Sequence, residues 1–481
     1  MKSVPPNLPV LAGLAGFEAA SVPGLTVDEV VRRLKRFHYS LQQTWQISLA
    51  RLTSEPLYEL KMGLSHHAYL ASENVSSLRD RVAEMRHPPL GLDKVPDPAL
   101  EKFFAEILAA PTSLEWLAGL YGKAFPALLE GVDQHLKNTS PLADAPSVRI
   151  LHALRADLET ITVWGEAALA AVRAEADADA LATLADWEAE LDAWLAAAGG
   201  LDGCATPSET TPEARFSATV FDYAPLRSPQ RDERFPDPYN MGVHAEEFLY
   251  DEKFADRDKV LIMYYKRIRE IDVPEMMATI LYEMAISGEK RPWGFYRDLT
   301  RQLWDEARHA MMGEVGYRSL GLDWAKLVAV NFTWSKGLAE QLTPQERHAV
   351  LWYIEQGLMT KTGKRYEWEV GGASGDPLAE LFQDYDWADE VLHARIGRDW
   401  YVKDFETVKD AAEYGSACWD KVVSDWEQWK KDGLTEHFNW WPGLYEEACR
   451  LRGEEPDPET LAYATSYAET RADLQRISAS G

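Results

Sequence analysis

Two copies of the pattern Asp-Glu-x-x-His stand 84 residues apart in this sequence. The first copy contains Glu306 and His309, and the second contains Glu390 and His393. Residues three apart on a helix project from the same face, so each copy presents one carboxylate and one imidazole to the same point. Carboxylates can bridge two cations, and imidazole suits iron, manganese or zinc. The two motifs together therefore predict a site for two metal ions.

A dinuclear site of this kind needs one further carboxylate for each motif, contributed by a neighbouring helix of a four-helix bundle. Glu355 lies 35 residues before Glu390, on a helix that Thr343-Pro344 is expected to start. Asp376-Pro377 is the corresponding start signal for the helix that contains Glu390. The second hairpin therefore predicts Glu355 as the partner of Glu390.

In the first hairpin the partner of Glu306 is less sharply defined. Glu306 lies 13 residues after Trp293, where its helix is expected to begin, and Glu275 lies 12 residues before the turn at Ser287. Glu283 is only 4 residues before that turn. In an antiparallel hairpin, side chains at matched distances from the turn are level with each other, at about 1.5 Å per residue. Level matching favours Glu275 as the ligand, with Glu283 as the alternative.

A competing interpretation concerns the start of that helix. Asp272-x-x-Glu275 with Pro274 is also typical of a helix N-terminus, where Glu275 would only close a capping box. Under that interpretation Glu275 lies in a first turn, which is where proline is tolerated.

Each motif glutamate follows an aspartate, Asp305 or Asp389. These carboxylates are predicted to accept the second N–H of a ligand histidine and so fix its tautomer and orientation. No catalytic residue is predicted beyond the metal ligands; the two aspartates would only support the ligand histidines.

The order Glu, Glu-x-x-His, Glu, Glu-x-x-His resembles the ferritin-like di-iron carboxylate superfamily over roughly residues 250–400. Residues 274–279, 354–356 and 389–400 are further similar to a bacterial ferritin-like family of unassigned function. Pro274 departs from the superfamily pattern, in which the ligand sits inside a helix. Carried over by position, the resemblance implies as metal ligands Glu275, Glu306, His309, Glu355, Glu390 and His393.

The resemblance also implies a reaction class. It predicts a non-haem oxidoreductase whose two metal ions, both iron or one manganese and one iron, activate dioxygen to oxidise a small organic substrate, with an external electron donor. The alternative is a metal-handling ferroxidase or oxidative-stress protein without an organic substrate. A scaffold that keeps the metal ions only for structure is a third possibility.

Apolar residues at helical spacing and an absence of strand signals predict an all-α protein. Four segments are expected: an N-terminal helical bundle over residues 1–200, a linker or extended arm over 201–244 rich in Pro, Gly, Ser and Thr, a ferritin-like dimetal bundle over 245–400, and a Trp-rich helical extension over 401–481.

Charge and apolar patterning argue against nucleic-acid and membrane partners. There are 50 Lys and Arg against 78 Asp and Glu, a formal net charge of −28, which argues against a nucleic-acid partner, including the tRNA on which one enzyme of the superfamily acts. No apolar run is long enough to span a membrane.

Three dispersed cysteines and the lack of a signal-peptide pattern predict a cytoplasmic location. The oligomeric state is left open, and a homodimer is compatible with the sequence.

Overall fold

The computed structural model describes residues 7–88, 90–218, 229–235, 243–287, 291–330, 333–359, 363–433 and 438–471. Within these ranges all regular structure is helical except for one isolated bridge between Val243 and Ser466. The predicted all-α fold class is therefore confirmed. Parts of the predicted arm, residues 219–228 and 236–242, lie outside the described ranges. No helix in the described part of the chain has the length and apolarity needed to cross a membrane.

The chain divides into two compact units. Unit 1 contains residues 1–48 and 67–222, and unit 2 contains residues 49–66 and 223–481. Residues 49–66 thus belong with the C-terminal half of the chain, although the predicted N-terminal bundle included them. The predicted dimetal bundle and the Trp-rich extension belong to one unit.

Unit 1 is built from paired helices. Asp97 caps one of them by accepting hydrogen bonds from the backbone N–H groups of Ala99 and Leu100, and Pro98 occupies the first helical position. Its core contains fully buried Phe103 and Trp187. The helices that contribute to unit 1 are α1 (Phe17–Ala20), α2 (Val27–Leu52), α3 (Tyr58–Ala83), α4 (Pro98–Ala109), α5 (Ser113–Leu117), α6 (Phe125–Asn138), α7 (Ala145–Glu175) and α8 (Ala178–Ala197), where α2 and α3 also supply residues 49–66 of unit 2.

Unit 2 contains the predicted metal-binding sequence and the rest of the described helices. They are α9 (Ala245–Tyr250), α10 (Asp256–Arg269), α11 (Asp272–Ile286), α12 (Trp293–Ser319), α13 (Trp324–Leu327), α14 (Thr333–Gln341), α15 (Pro344–Leu358), α16 (Lys364–Ser374), α17 (Pro377–Trp400), α18 (Val408–Val423), α19 (Trp426–Lys431), α20 (Trp441–Arg452), α21 (Pro458–Leu461) and α22 (Tyr467–Thr470).

The two motif helices, α12 and α17, pack against each other and each has its own neighbours. Helix α12 packs on α10 and α11, whereas α17 packs on α15 and α16. Capping fixes where α15 and α17 begin: Thr343 and Glu346 form a capping box, and Asp376 accepts hydrogen bonds from two backbone N–H groups. The segment before the turn at Ser287 forms two helices: α10 ends at Arg269 and α11 begins at Asp272, the start that the competing interpretation of the sequence predicted.

The Trp-rich segment contributes to the core of unit 2. Trp440 and Trp441 are almost fully buried, and their ring centroids lie 4.3 Å from Tyr265 and 4.4 Å from Phe248, respectively. Large aromatic side chains bury much apolar area, so these contacts attach the C-terminal segment to α9 and α10.

Candidate metal centre

The packing of α12 on α17 brings the two motifs together in the interior of unit 2. The ring centroids of His309 and His393 are 6.1 Å apart, and both imidazoles are completely buried. Glu306 and Glu390, three residues before each histidine, are each 2% exposed. Buried carboxylates and imidazoles at this density require compensating charge, since burying an unpaired charge is very costly.

Four residues converge in what we call the Glu355 cluster: Glu306, Glu355, Glu390 and His393. One ligand atom from each lies within 4.8 Å of the others. The Nδ1 atom of His393 is 3.2 Å from Glu306 Oε1, 3.5 Å from Glu390 Oε2 and 3.9 Å from Glu355 Oε1. Three carboxylates therefore surround one imidazole nitrogen.

A second group, the Glu270 cluster, contains Glu270, His309, Asp386 and Glu390 within the same limit. His309 Nδ1 is 3.2 Å from Glu270 Oε2 and 3.5 Å from Asp386 Oδ1. The two clusters share Glu390. Glu306 also faces both histidines, because its other oxygen, Oε2, is 3.7 Å from His309 Nδ1. Two carboxylates thus stand between the clusters, as bridging ligands of two metal ions would.

Six buried atoms of these clusters make no hydrogen bond within the described part of the chain. Each is an oxygen or nitrogen of the type that ligates iron or manganese. Buried polar groups are normally hydrogen-bonded, so six such atoms around one point require an explanation. The atoms are Glu270 Oε2, Glu306 Oε1, His309 Nδ1, Glu355 Oε2, Glu390 Oε2 and His393 Nδ1.

The Nε2 atom of each histidine is held by an aspartate of the other motif. Asp389 Oδ2 lies 3.2 Å from His309 Nε2, and Asp305 Oδ2 lies 3.4 Å from His393 Nε2. Arg308 donates hydrogen bonds to both aspartates, at 2.7 Å in the case of Asp389. With Nε2 occupied in this way, Nδ1 of each ring faces the carboxylates, which is the arrangement expected around a ligand histidine.

The charges within the two clusters favour bound protons on both histidines and on Glu355. Burial would lower the pKa of His309, but the adjacent carboxylates of Asp389, Glu270 and Glu306 raise it to about 10. Burial is likewise outweighed at His393, where Asp305, Glu306 and Glu390 raise the pKa well above its usual value. Burial and the adjacent Glu390 raise the pKa of Glu355 well above its ordinary range. Protons therefore neutralise part of the carboxylate charge, and metal ions would displace them.

The structure places Glu275 away from both clusters. Glu275 is completely buried, with Oε1 2.6 Å from Lys61 Nζ and Oε2 2.7 Å from Arg231 Nη2. Burial opposes the shift, but Arg231 and Lys61 lower the pKa of Glu275. Its helix begins at Asp272, as in the competing interpretation, although the carboxylate binds two cations instead of closing a capping box. Glu283, the alternative ligand, is 3.0 Å from Arg347 and is not in either cluster.

Glu270, which was not predicted from the sequence, occupies the position expected for Glu275. It lies between α10 and α11, and its Oε1 forms an ion pair with Arg267 Nη2 at 2.8 Å. Burial opposes the shift, but Arg267 and His309 lower the pKa of Glu270 to about 2. Glu270 lies 36 residues before Glu306, almost the 35-residue separation of Glu355 from Glu390. That near-equality was the signal for it.

Three further residues of the site had weaker signals. Asp386 is four residues before Glu390 and therefore one turn earlier on the same face of α17. Lys364, at the start of α16, lies 2.9 Å from Glu390 Oε1 and 2.9 Å from Asp386 Oδ2. Arg267 forms an ion pair with the other Asp386 oxygen. No motif marks these two cations in the sequence.

A glycine follows each motif histidine by four residues, Gly313 after His309 and Gly397 after His393. A Cβ atom at Gly313 would lie 2.4 Å from the backbone nitrogen of Ile268, and one at Gly397 would lie 2.0 Å from Trp352. Neither position has room for a side chain. The glycines therefore allow α12 to approach α10 and α17 to approach α15 closely enough for the ligands to meet.

A cavity of about 690 Å³ adjoins the clusters. Glu270, Glu306, Glu355 and Glu390 form part of its wall. The remaining wall has apolar, basic and acidic side chains; it includes Val273, Met276, Leu338, Leu351, Trp419, Lys266, Arg269, Arg471, Glu246, Asp272 and Asp420. Pockets of this volume are typical of small-molecule sites.

Comparison of the chain with known proteins gave no match to a protein-family model, a curated protein or a solved structure. The relation to the ferritin-like superfamily therefore remains a prediction from the motifs. Of the six expected ligands, the structure brings five together: Glu306, His309, Glu355, Glu390 and His393.

Proposed function

We propose that this protein is a dinuclear-metal oxidoreductase that uses dioxygen to oxidise a small organic substrate. The observation that carries the proposal is the set of six buried oxygen and nitrogen atoms that lack hydrogen bonds and converge from four segments of unit 2. The ligands would be Glu270, Glu306, His309, Glu355, Glu390 and His393, with Glu270 in the place first given to Glu275.

The chemistry of these donors fits two divalent ions of iron, or one of manganese and one of iron. Four carboxylates and two imidazoles, all buried or nearly so, match the ligand types that such ions accept. Two carboxylates, Glu306 and Glu390, stand between the histidines and suit bridging positions. When bound, the metal ions would supply the redox chemistry with dioxygen, and an external donor would return the electrons.

The protein's own side chains would orient the ligands and hold the substrate. Asp305 and Asp389 fix the rings of His393 and His309 through Nε2. The cavity reaches the cluster carboxylates, so a bound substrate would lie beside the metal ions. Apolar side chains such as Met276 and Leu351 would exclude water from that part of the wall.

Metal analysis combined with oxygen consumption tests the proposal. Protein saturated with Fe²⁺, or with Mn²⁺ and Fe²⁺ together, should hold two ions per chain and consume dioxygen when supplied with a reductant. Glu306→Ala and Glu390→Ala should each lose most of the bound metal, because each removes a carboxylate placed to bridge. Glu380→Ala, at an exposed position on the same helix as Glu390, is the matched control and should bind as the wild type does.

The outcomes separate the candidate functions. Retention of two ions by both bridging variants, or a folded wild type that binds no metal, would refute the site. Oxygen uptake that stops when added Fe²⁺ has been oxidised, and that no reductant sustains, would instead support a ferroxidase.

A further inference from the structure

The two clusters differ in the protein cations beside them. Every carboxylate of the Glu270 cluster is already ion-paired. Arg267 lies 2.8 Å from Glu270 Oε1 and also contacts Asp386. Lys364 Nζ lies 3.0 Å and 2.9 Å from the two Asp386 oxygens and 2.9 Å from Glu390 Oε1. Two positive charges therefore stand beside this cluster before any metal ion arrives.

The Glu355 cluster has fewer cations. Among the described residues, no lysine or arginine lies within ion-pair distance of Glu306 or Glu355. Glu355 instead accepts a hydrogen bond from the neutral Gln302 amide at 3.2 Å. The one lysine contact of this cluster is Lys364 on Glu390, the residue that both clusters share.

The difference is built into corresponding positions of the two motif helices. Gln302 and Asp386 each lie four residues before the motif glutamate, on α12 and α17 respectively. The neutral amide of Gln302 supports Glu355, whereas the carboxylate of Asp386 attracts Arg267 and Lys364. Lys364 is itself buried, with 2% of its side chain exposed, so its charge is poorly screened.

We infer that the two clusters are unequal metal sites, and that the Glu355 cluster binds one ion tightly while Lys364 and Arg267 weaken binding in the Glu270 cluster. This inference rests on the proposed dinuclear function. A second ion would enter beside two like charges, and Lys364 would have to release Glu390 Oε1 before that oxygen could hold an ion in the Glu270 cluster. At limiting metal the protein would hold a single ion, in the Glu355 cluster.

The unequal sites would also load in order. The Glu355 cluster would take the first metal ion that the protein meets, and the Glu270 cluster would take a second ion only at higher concentration. Two different metals supplied in sequence would therefore occupy different positions, which is one way to assemble a mixed manganese and iron pair.

A titration with Mn²⁺ under anaerobic conditions tests this inference, with free Mn²⁺ followed by electron paramagnetic resonance and bound metal by elemental analysis. We expect the wild type to bind one ion at least about tenfold more tightly than the second. Lys364→Met removes the charge with little change in volume and should bring the two dissociation constants closer, by about tenfold. Lys259→Met is the matched control: Lys259 is an equally buried lysine in unit 2 that contacts Tyr366 and Asp256 and should leave both steps unchanged.

Two ligand variants assign the steps to the clusters. Glu355→Gln should abolish the tight step, whereas Glu270→Gln should abolish the weak step and keep the tight one. These two variants decide the question even if Lys364→Met fails to fold, which circular dichroism would show. Equal affinities in the wild type, or a tight step that survives in Glu355→Gln and disappears in Glu270→Gln, would overturn the inference and leave the dinuclear function standing. A folded wild type that binds no Mn²⁺ and no Fe²⁺ would overturn both.

Discussion

The Asp305 carboxylate lies 3.4 Å from Nε2 of His393, although the two residues belong to different Asp-Glu-x-x-His motifs. The reciprocal contact joins Asp389 to His309 at 3.2 Å. Each motif therefore supplies a carboxylate and an imidazole to the centre and an aspartate to the other motif's imidazole. The exchange ties the orientation of each ring to the packing of α12 on α17.

Replacing either aspartate with asparagine should weaken metal binding while the ligands remain. An amide holds a ring nitrogen less firmly than a carboxylate, and losses of such supporting contacts typically cost about 10- to 100-fold in metal affinity. We expect Asp305→Asn and Asp389→Asn to raise the dissociation constant for Mn²⁺ by that factor in an equilibrium titration. Asp384→Asn, at an exposed position on α17, is the control. Wild-type affinity in both variants would show that the crosswise contacts do not support the site.

Glu275 should be a stability residue and not a metal ligand. Its two partners, Lys61 and Arg231, have 1% and 2% of their side chains exposed, so Glu275→Gln removes a buried anion that pairs with both cations. Breaking a buried pair in this way costs about 3–5 kcal/mol of the free energy of unfolding. Urea denaturation should show that loss, whereas metal per folded chain should stay at the wild-type value.

The control for Glu275→Gln is Glu413→Gln, which removes an exposed pair with Lys409 and should change stability by less than about 1 kcal/mol. A folded Glu275→Gln protein that no longer binds metal would return Glu275 to the ligand set.

The contrast between Glu275 and Glu270 shows what the sequence could predict. Counting residues from a turn gives a position along a helix axis but not the direction in which the side chain points. Glu275 lies on the unbroken helix α11, yet its carboxylate contacts Lys61 and Arg231, whereas Glu270 lies before the start of α11 at Asp272. In the second hairpin Glu355 was selected by its 35-residue separation from Glu390, and it does lie in the centre, on a helix that is continuous from Pro344.

Local patterns predicted the helical class, the motif faces and the cap residues, because each depends on neighbours within a few residues. Lys364 and Arg267 could not be found in this way. Their roles depend on how α16 and α10 pack against α17, and no spacing within their own helices encodes that contact.

The two glycines that follow the motif histidines should be intolerant of a methyl group. Gly313→Ala would press Cβ against the backbone of α10, and Gly397→Ala would press it against Trp352 on α15, three residues before Glu355. Overpacking of this kind costs about 1–3 kcal/mol, and separation of the helices should also lower metal per folded chain. Urea denaturation and elemental analysis measure the two effects.

Gly372→Ala is the matched control, since its Cβ would meet only the Glu380 side chain at 3.5 Å or more. Alanine should be neutral there or stabilise by about 0.5–1 kcal/mol through its higher helix propensity. Equal stability and equal metal content in all three variants would mean that the helices can separate without disturbing the ligands.

His348 should make unit 2 less stable in acid. Its ring packs between Phe295 and Tyr401, and burial, with Arg291 nearby, lowers its pKa from 6.5 to about 3. Because the folded pKa lies below the unfolded one, the unfolded chain binds the extra proton, and stability from this group is lost as the pH falls below 6.5. Between pH 7 and pH 5 the loss from His348 should be about 2 kcal/mol, and His348→Phe should remove it.

Urea denaturation at pH 7 and pH 5, with a chelator present so that metal loss does not contribute, measures this difference. His152→Phe at an exposed site in unit 1 is the control and should retain the full acid sensitivity of the wild type. An unchanged pH dependence in His348→Phe would contradict this prediction, because it would mean that His348 is protonated or solvated in the folded protein. The aromatic neighbours of His348 oppose protonation, and its 4% exposure opposes solvation.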